Sequence, residues 1–140
     1  MMTAAGCTQQ ERIVRPELKS EQMCIVKHGE NEYGCKLQFL GSNVEGITIE
    51  SPSSLKGMTF RSSAGKYSLS YGSLICKSDR ILLPESSFPV KLMKVMQQMR
   101  KKQDDIILTE SGNDYVYSEN DGLGYRIVAD ENGNIKAIQI

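Results

Sequence analysis

The residues best able to do chemistry are four cysteines, Cys7, Cys24, Cys35 and Cys76, and a single histidine, His28. No two cysteines form a Cys-x-x-Cys pair, and one histidine does not complete a zinc ligand set, so no metal site is expected. Cys24 and Cys35 flank the break His28-Gly29-Glu30-Asn31. A turn centred on Gly29-Glu30 sets them opposite one another on two hairpin arms, near enough for a disulfide. A one-residue register shift separates them and leaves two buried free thiols. Cys76 has no partner nearby in sequence and reads as core. His28, beside Gly29 in the expected turn, reads as a solvated residue, because no nucleophile adjoins it. The carboxylates Asp104, Asp105, Glu119 and Asp121 fall at expected turns and strand ends, where solvation and turn formation explain them. The chain has no Gly-x-Ser-x-Gly elbow, no phosphate-binding Gly-x-x-x-x-Gly-Lys and no His-Glu-x-x-His. The expectation is therefore a protein that is not an enzyme, with no catalytic residue and no cofactor.

Cys7 is different. It follows Ala4-Ala5-Gly6, and that stretch resembles the bacterial lipobox, in which small residues precede a lipid-modified cysteine. The chemistry requires this pattern: a narrow peptidase groove admits only small side chains before the cut, and an exposed thiol must accept a diacylglyceryl group. Thr8 to Glu21 is polar and carries Pro16, which suits a flexible tether. Residues 1–21 are thus read as a signal-peptide remnant, lipobox and tether, and residues 22–140 as one domain. A secretory signal also needs a charged n-region and an apolar stretch of about 7–15 residues. Met1-Met2-Thr3 reads as the tail of such a stretch, so the translation start is expected upstream. No apolar run approaches the about 18 residues of a spanning helix. The multiple acyl chains on Cys7 would hold the protein stably at a cell membrane, on its extracytoplasmic side.

Lysine plus arginine and aspartate plus glutamate each number 17, for a formal net charge of zero. Nucleic acid is excluded as the main partner, since phosphate binding needs a concentrated positive field. The one basic cluster, Arg100-Lys101-Lys102, closes an expected helix, where cations complement the helix dipole.

The elements that must carry these residues are mostly strands. Met23–Lys27 and Gly34–Leu40 flank the first turn, and Pro52 ends a strand in which Ile47 and Ile49 alternate with polar residues. A turn at Ala64-Gly65 pairs Phe60 with Leu69, Met58 with Tyr71 and Ser62 with Tyr67, giving one apolar face and one polar face. Ile106–Thr109 and Tyr115–Tyr117 flank Ser111-Gly112-Asn113, and Asp121-Gly122 makes the next turn. Asn132-Gly133 is a type I′ signal that pairs Ile127 with Ile138 and Tyr125 with Ile140. One helix is expected over residues 88–102. Ser86 and Ser87 are its candidate caps, Pro89 lies in its first turn, and Phe88, Leu92, Val95, Met96 and Met99 form its apolar stripe.

That stripe can be buried only against the sheet. The expected fold is mainly β (α+β): a curved antiparallel sheet or incomplete β-barrel of about eight to nine strands around one central helix. The entry to the helix, Leu83-Pro84-Glu85-Ser86-Ser87-Phe88, and the closing run from Gly124 to Ile140 resemble the LolA-like lipoprotein-carrier superfamily. Similar endings occur in small lipoproteins of Gram-positive bacteria, clostridial germination-associated ones among them. The resemblance implies a curved, incomplete barrel with helix in its concave face, and a membrane-anchored domain that meets another envelope protein or an apolar ligand. Met58, Phe60, Leu69, Tyr71, Leu92, Met96, Tyr125, Ile127 and Ile138 would line a lipid-binding cavity. The alternative is that the helix fills that space.

Overall fold

A two-residue alternation of apolar and polar side chains runs through most of this sequence, and in the computed structural model it produces ten strands. The structure describes residues 13–41, 43–120, 122 and 124–140; Cys7 and Asp121 lie outside them. The strands are β1 (Glu21–His28), β2 (Asn31–Leu40), β3 (Val44–Ser51), β4 (Thr59–Ser63), β5 (Lys66–Tyr71), β6 (Leu74–Ser78), β7 (Thr109–Ser111), β8 (Asp114–Glu119), β9 (Tyr125–Ala129) and β10 (Ile135–Gln139). One α-helix among the described residues, α1 (Phe88–Lys101), joins β6 to β7, and a single 3-10 turn, Ser53–Leu55, lies between β3 and β4. All ten strands belong to a single open sheet in the order β6-β5-β4-β3-β2-β1-β10-β9-β8-β7. It is a mainly β fold, as expected, with ten strands in place of eight or nine.

The additional strand is β6, and its pairing overturns the reading of Cys76 as core. β6 lies at the sheet margin beside β5, with Cys76 opposite Leu69, and Cys76 is exposed. The sheet is also not wholly antiparallel. β10 returns to lie parallel to β1, with Val26 opposite Ile138, and this pair joins the two halves of the chain. Every other neighbouring pair is antiparallel.

The first hairpin turns at Gly29-Glu30 and does place Cys24 opposite Cys35. Both thiols are buried and free, and Cys24 Sγ donates to the carbonyl oxygen of Ile25 at 3.4 Å. The Ala64-Gly65 hairpin has the expected register, Phe60 opposite Leu69 and Ser62 opposite Tyr67, and both turn residues have positive φ.

The last hairpin reaches its expected register by another route. Ile127 does face Ile138, but Asn132 does not adopt positive φ; of the two, only Gly133 does, at 85°. The loop holds three residues, Glu131-Asn132-Gly133, inside a backbone hydrogen bond from Asp130 N–H to Asn134 O of 3.0 Å. The carboxylate of Asp130 accepts from the N–H groups of Asn132 and Asn134, both at 2.9 Å. A bulge between Ile135 and Ala137 then offsets the extra loop residue.

Residues 13–20, expected as part of the polar tether from Thr8 to Glu21, are held against the domain. Val14 and Pro16 are buried, Leu108 N–H donates to Val14 O at 2.8 Å, and Glu17 N–H donates to Gly133 O at 2.9 Å. Residues 13–17 are therefore packed on the second half of the sheet, at Leu108 and Asn134, and Ser20 O accepts from Phe39 N–H of β2 at 3.0 Å.

Helix α1 starts where Ser87, in an extended conformation, precedes Phe88 and Pro89. The Ser87 hydroxyl donates backward to Pro84 O at 2.6 Å rather than capping a helix N–H. At the other end Arg100 and Lys101 complement the negative end of the helix dipole, and Lys102 N–H donates to Gln98 O at 2.8 Å. The stripe of Leu92, Val95, Met96 and Met99 is fully buried, in one cluster with Val26, Leu37, Ile47, Ile127 and Ile138 from the middle of the sheet. Phe88 stacks on Tyr33 with ring centroids 3.9 Å apart, and His28 tilts toward the same ring at 6.4 Å.

Candidate functional site

The helix covers the centre of the sheet but not the arm made by β5 and β6. The apolar residues expected to line one cavity therefore divide into separate places. Leu92, Met96, Ile127 and Ile138 have no exposed surface and form the sealed interface between α1 and the sheet. Tyr125 is buried toward the far side, its ring tilted against Tyr117 at 6.2 Å. Met58 packs at the margin of the core, and Tyr71 is 40% exposed, its hydroxyl donating to Ser54 O at 2.8 Å. Of the expected set, Phe60 and Leu69 line an apolar cleft beside the helix, while Tyr125 lines a shallow depression at the far end of the sheet.

The apolar cleft, of about 90 Å³, lies between β4–β5 and the first half of α1. Phe60 and Leu69 form one wall and Pro89, Val90 and Met93 the other, with Leu82 and Leu83 at its mouth. Ile81 and Leu82 are each 38% exposed. The helical residues of the cleft were not legible as site residues. Val90 and Met93 fall outside the apolar stripe read from the sequence, and Pro89 was read only as a first-turn residue; all three are buried, at the edge of the core. The signal that could have found the mouth is Ile81-Leu82-Leu83, three consecutive apolar residues that fit neither a strand alternation nor the helix stripe.

Next to the apolar cleft, and sharing Tyr67 and Gln97 with it, lies a polar depression. Its floor holds the two buried polar residues among those described, Glu45 and Ser62, which face each other across β3 and β4. The Glu45 carboxylate accepts from Gln97 Nε2 at 3.0 Å and lies 3.0 Å from Arg100 Nη1. Arg100 Nη2 donates to Val44 O at 3.1 Å, and the guanidinium lies over the Phe39 ring at 5.3 Å. This cluster fixes the last turns of α1 on the sheet, and its charges answer one another.

Burial raises the Cys24 thiol to about 12, helped by the neighbouring Cys35, and raises Cys35 to about 12, helped by Glu50. Neither is a thiolate nucleophile near neutral pH. Tyr125 is also raised to about 12, chiefly by burial. Asp130 is lowered by its hydrogen bonds from Asn134, a turn-forming role. Among the described residues no group of three His, Cys, Asp or Glu side chains is placed to hold a metal ion, and no helix is long and apolar enough to cross a membrane. No family model, curated protein or solved structure matches the chain.

Proposed function

We propose that this protein is a non-enzymatic lipoprotein, anchored outside the cytoplasm through a lipid on Cys7, whose LolA-like β domain docks another protein of the cell envelope. In this reading the sheet curls about α1, and the cleft beside the helix receives the partner. The observation that carries it is the division of the apolar surface. The helix seals the centre of the sheet with Leu92, Val95, Met96 and Met99, and the apolar cleft beside it is about 90 Å³. The larger depression next to that cleft, about 600 Å³, is lined mainly by polar side chains. Pockets that enclose small ligands run to about 300–1,000 Å³. The small apolar cleft suits one or two anchoring side chains of a protein partner, the usual centre of an interface hot spot. An acyl chain would need the helix to withdraw.

Native mass spectrometry of the domain, purified from cells without delipidation, separates docking from lipid carriage. Docking predicts the bare polypeptide mass; a stoichiometric acyl adduct that is lost on Met93→Lys would replace this reading with a carrier. The anchor has its own test. Labelled fatty acid fed to cells making the full chain with its export signal should be incorporated, and Cys7→Ser should abolish the label. Incorporation that survives Cys7→Ser would remove Cys7 from the proposal.

A further inference from the structure

The strand β6 ends the sheet, and no described strand lies along its outer edge. Edge strands in soluble proteins are ordinarily blunted by charge, proline or burial under another element. Here the edge reads Leu74-Ile75-Cys76-Lys77-Ser78, with Leu74 73% and Ile75 64% exposed and Cys76 exposed as well. These are among the most exposed large apolar residues described. Alternation puts Leu74 and Cys76 on the helix-bearing face, in line with Leu69 and Tyr71, and Ile75 and Lys77 on the other. Both faces of the edge are thus apolar for two successive residues, while its N–H and C=O groups lack a strand to pair with.

We propose that β6 pairs with β6 of a second copy of this chain, antiparallel and centred on Ile75, to make one continuous sheet across a two-fold axis. The self-pairing follows from register. A two-fold axis normal to the sheet puts residues of the same face opposite one another. Centring on Ile75 sets Ile75 against Ile75, and Leu74 against Cys76 twice, so every apolar residue of the edge meets an apolar residue. Lys77 then meets Ser73. Centring on Lys77 would oppose two like charges, and centring on Cys76 would set Ile75 against Lys77 and Leu74 against Ser78. Centring on Leu74 would leave Ile75 opposite Ser73. The chain's formal net charge of zero adds no long-range repulsion between copies. The opposite margin, β7, is three exposed residues, Thr109-Glu110-Ser111, and offers no such match. This inference does not depend on the cleft beside α1.

Sedimentation equilibrium of the wild-type protein at about 100 µM, above the micromolar range of weak small interfaces, should give the mass of two chains. Ile75→Lys places two ammonium groups on the axis and should weaken association at least about tenfold. Ile25→Lys, a comparable change on the central strand β1, should leave it intact. Circular dichroism confirms that each variant is folded, and Leu74→Glu replaces Ile75→Lys if the latter is not. The register is read by oxidation with diamide, which takes up the two thiol hydrogens as the disulfide forms. In a Cys7→Ser, Cys76→Ser background, where the remaining cysteines are buried, Ile75→Cys should cross-link into a covalent dimer and Ser78→Cys should not. A wild type that sediments as one chain, or an Ile75→Lys variant that associates as tightly as wild type, overturns the proposal. Cross-linking through Ser78→Cys in preference to Ile75→Cys overturns the register.

Discussion

Cys24 and Cys35 face each other across two strands and yet behave as packing, because burial has moved their ionisation out of the working range. In the unfolded chain these thiols ionise near 9, whereas in the fold both are raised to about 12. For an acid raised in this way, the stabilising contribution is complete below the unfolded value and is lost as pH climbs toward the folded one. The melting temperature should therefore hold level up to about pH 9 and fall between about 9 and 12. The fall should be shallower in the Cys24→Ala, Cys35→Ala variant; a fall of unchanged slope would show that other groups, Tyr125 among them, account for it. Glu45 presents the opposite case, a buried carboxylate tied to a cation. Arg100→Ala strips that cation from a carboxylate whose side chain is 3% exposed, and should cost about 3 kcal/mol in urea unfolding. Arg100→Lys should recover only part of this, because an ammonium cannot reach both the carboxylate and the Val44 carbonyl while stacking on Phe39.

At the scale of elements, the last hairpin shows what local pattern can and cannot specify. Gly133 is needed for two reasons: its φ is 85°, and a Cβ there would lie 2.0 Å from the Arg15 carbonyl oxygen. Gly133→Ala should lower stability by about 2 kcal/mol or more in urea unfolding, and should release residues 13–20 to proteolysis before the rest. Sequence alternation was enough to pair Ile127 with Ile138 and Phe60 with Leu69, since one face of each hairpin had to be buried. The helix was legible to within a residue, because its cap region, its stripe and its basic end agree. The loop type was not, because a three-residue loop with a bulge and a two-residue turn give the same pairing beyond the bulge. β6 was missed for a physical reason as well. A strand with both faces exposed carries no alternation, and Leu74-Ile75-Cys76 read as an apolar run without a face. The cleft was half legible: Phe60 and Leu69 were named from the sheet, while Pro89 was read only as a first-turn residue and Val90 and Met93 lie off the apolar stripe that helical spacing picks out.

For the whole molecule, the decisive contact is the parallel pair of β1 and β10, which places the strand formed by Ile135–Gln139 in the middle of the sheet. Amide hydrogen exchange should be slowest in β1, β2 and β10 and should quicken toward β6 and β7, reflecting the fall in burial from centre to margin. Protection that peaked in the Ala64-Gly65 hairpin would instead make each half of the sheet an independent unit. The partners in this central pair stand far apart in sequence, Val26 against Ile138, so closing them carries a large loop entropy and slows folding. Synthesis adds a delay of its own. At about 5–20 residues per second, β1 waits for several seconds before its second neighbour, β10, exists. During that interval β1 is paired on one side only, with β2, and the core is unfinished. A polypeptide that cannot close its sheet until residue 139 is made keeps one edge of β1 unpaired while it is being synthesised, a delay that would suit the export proposed above.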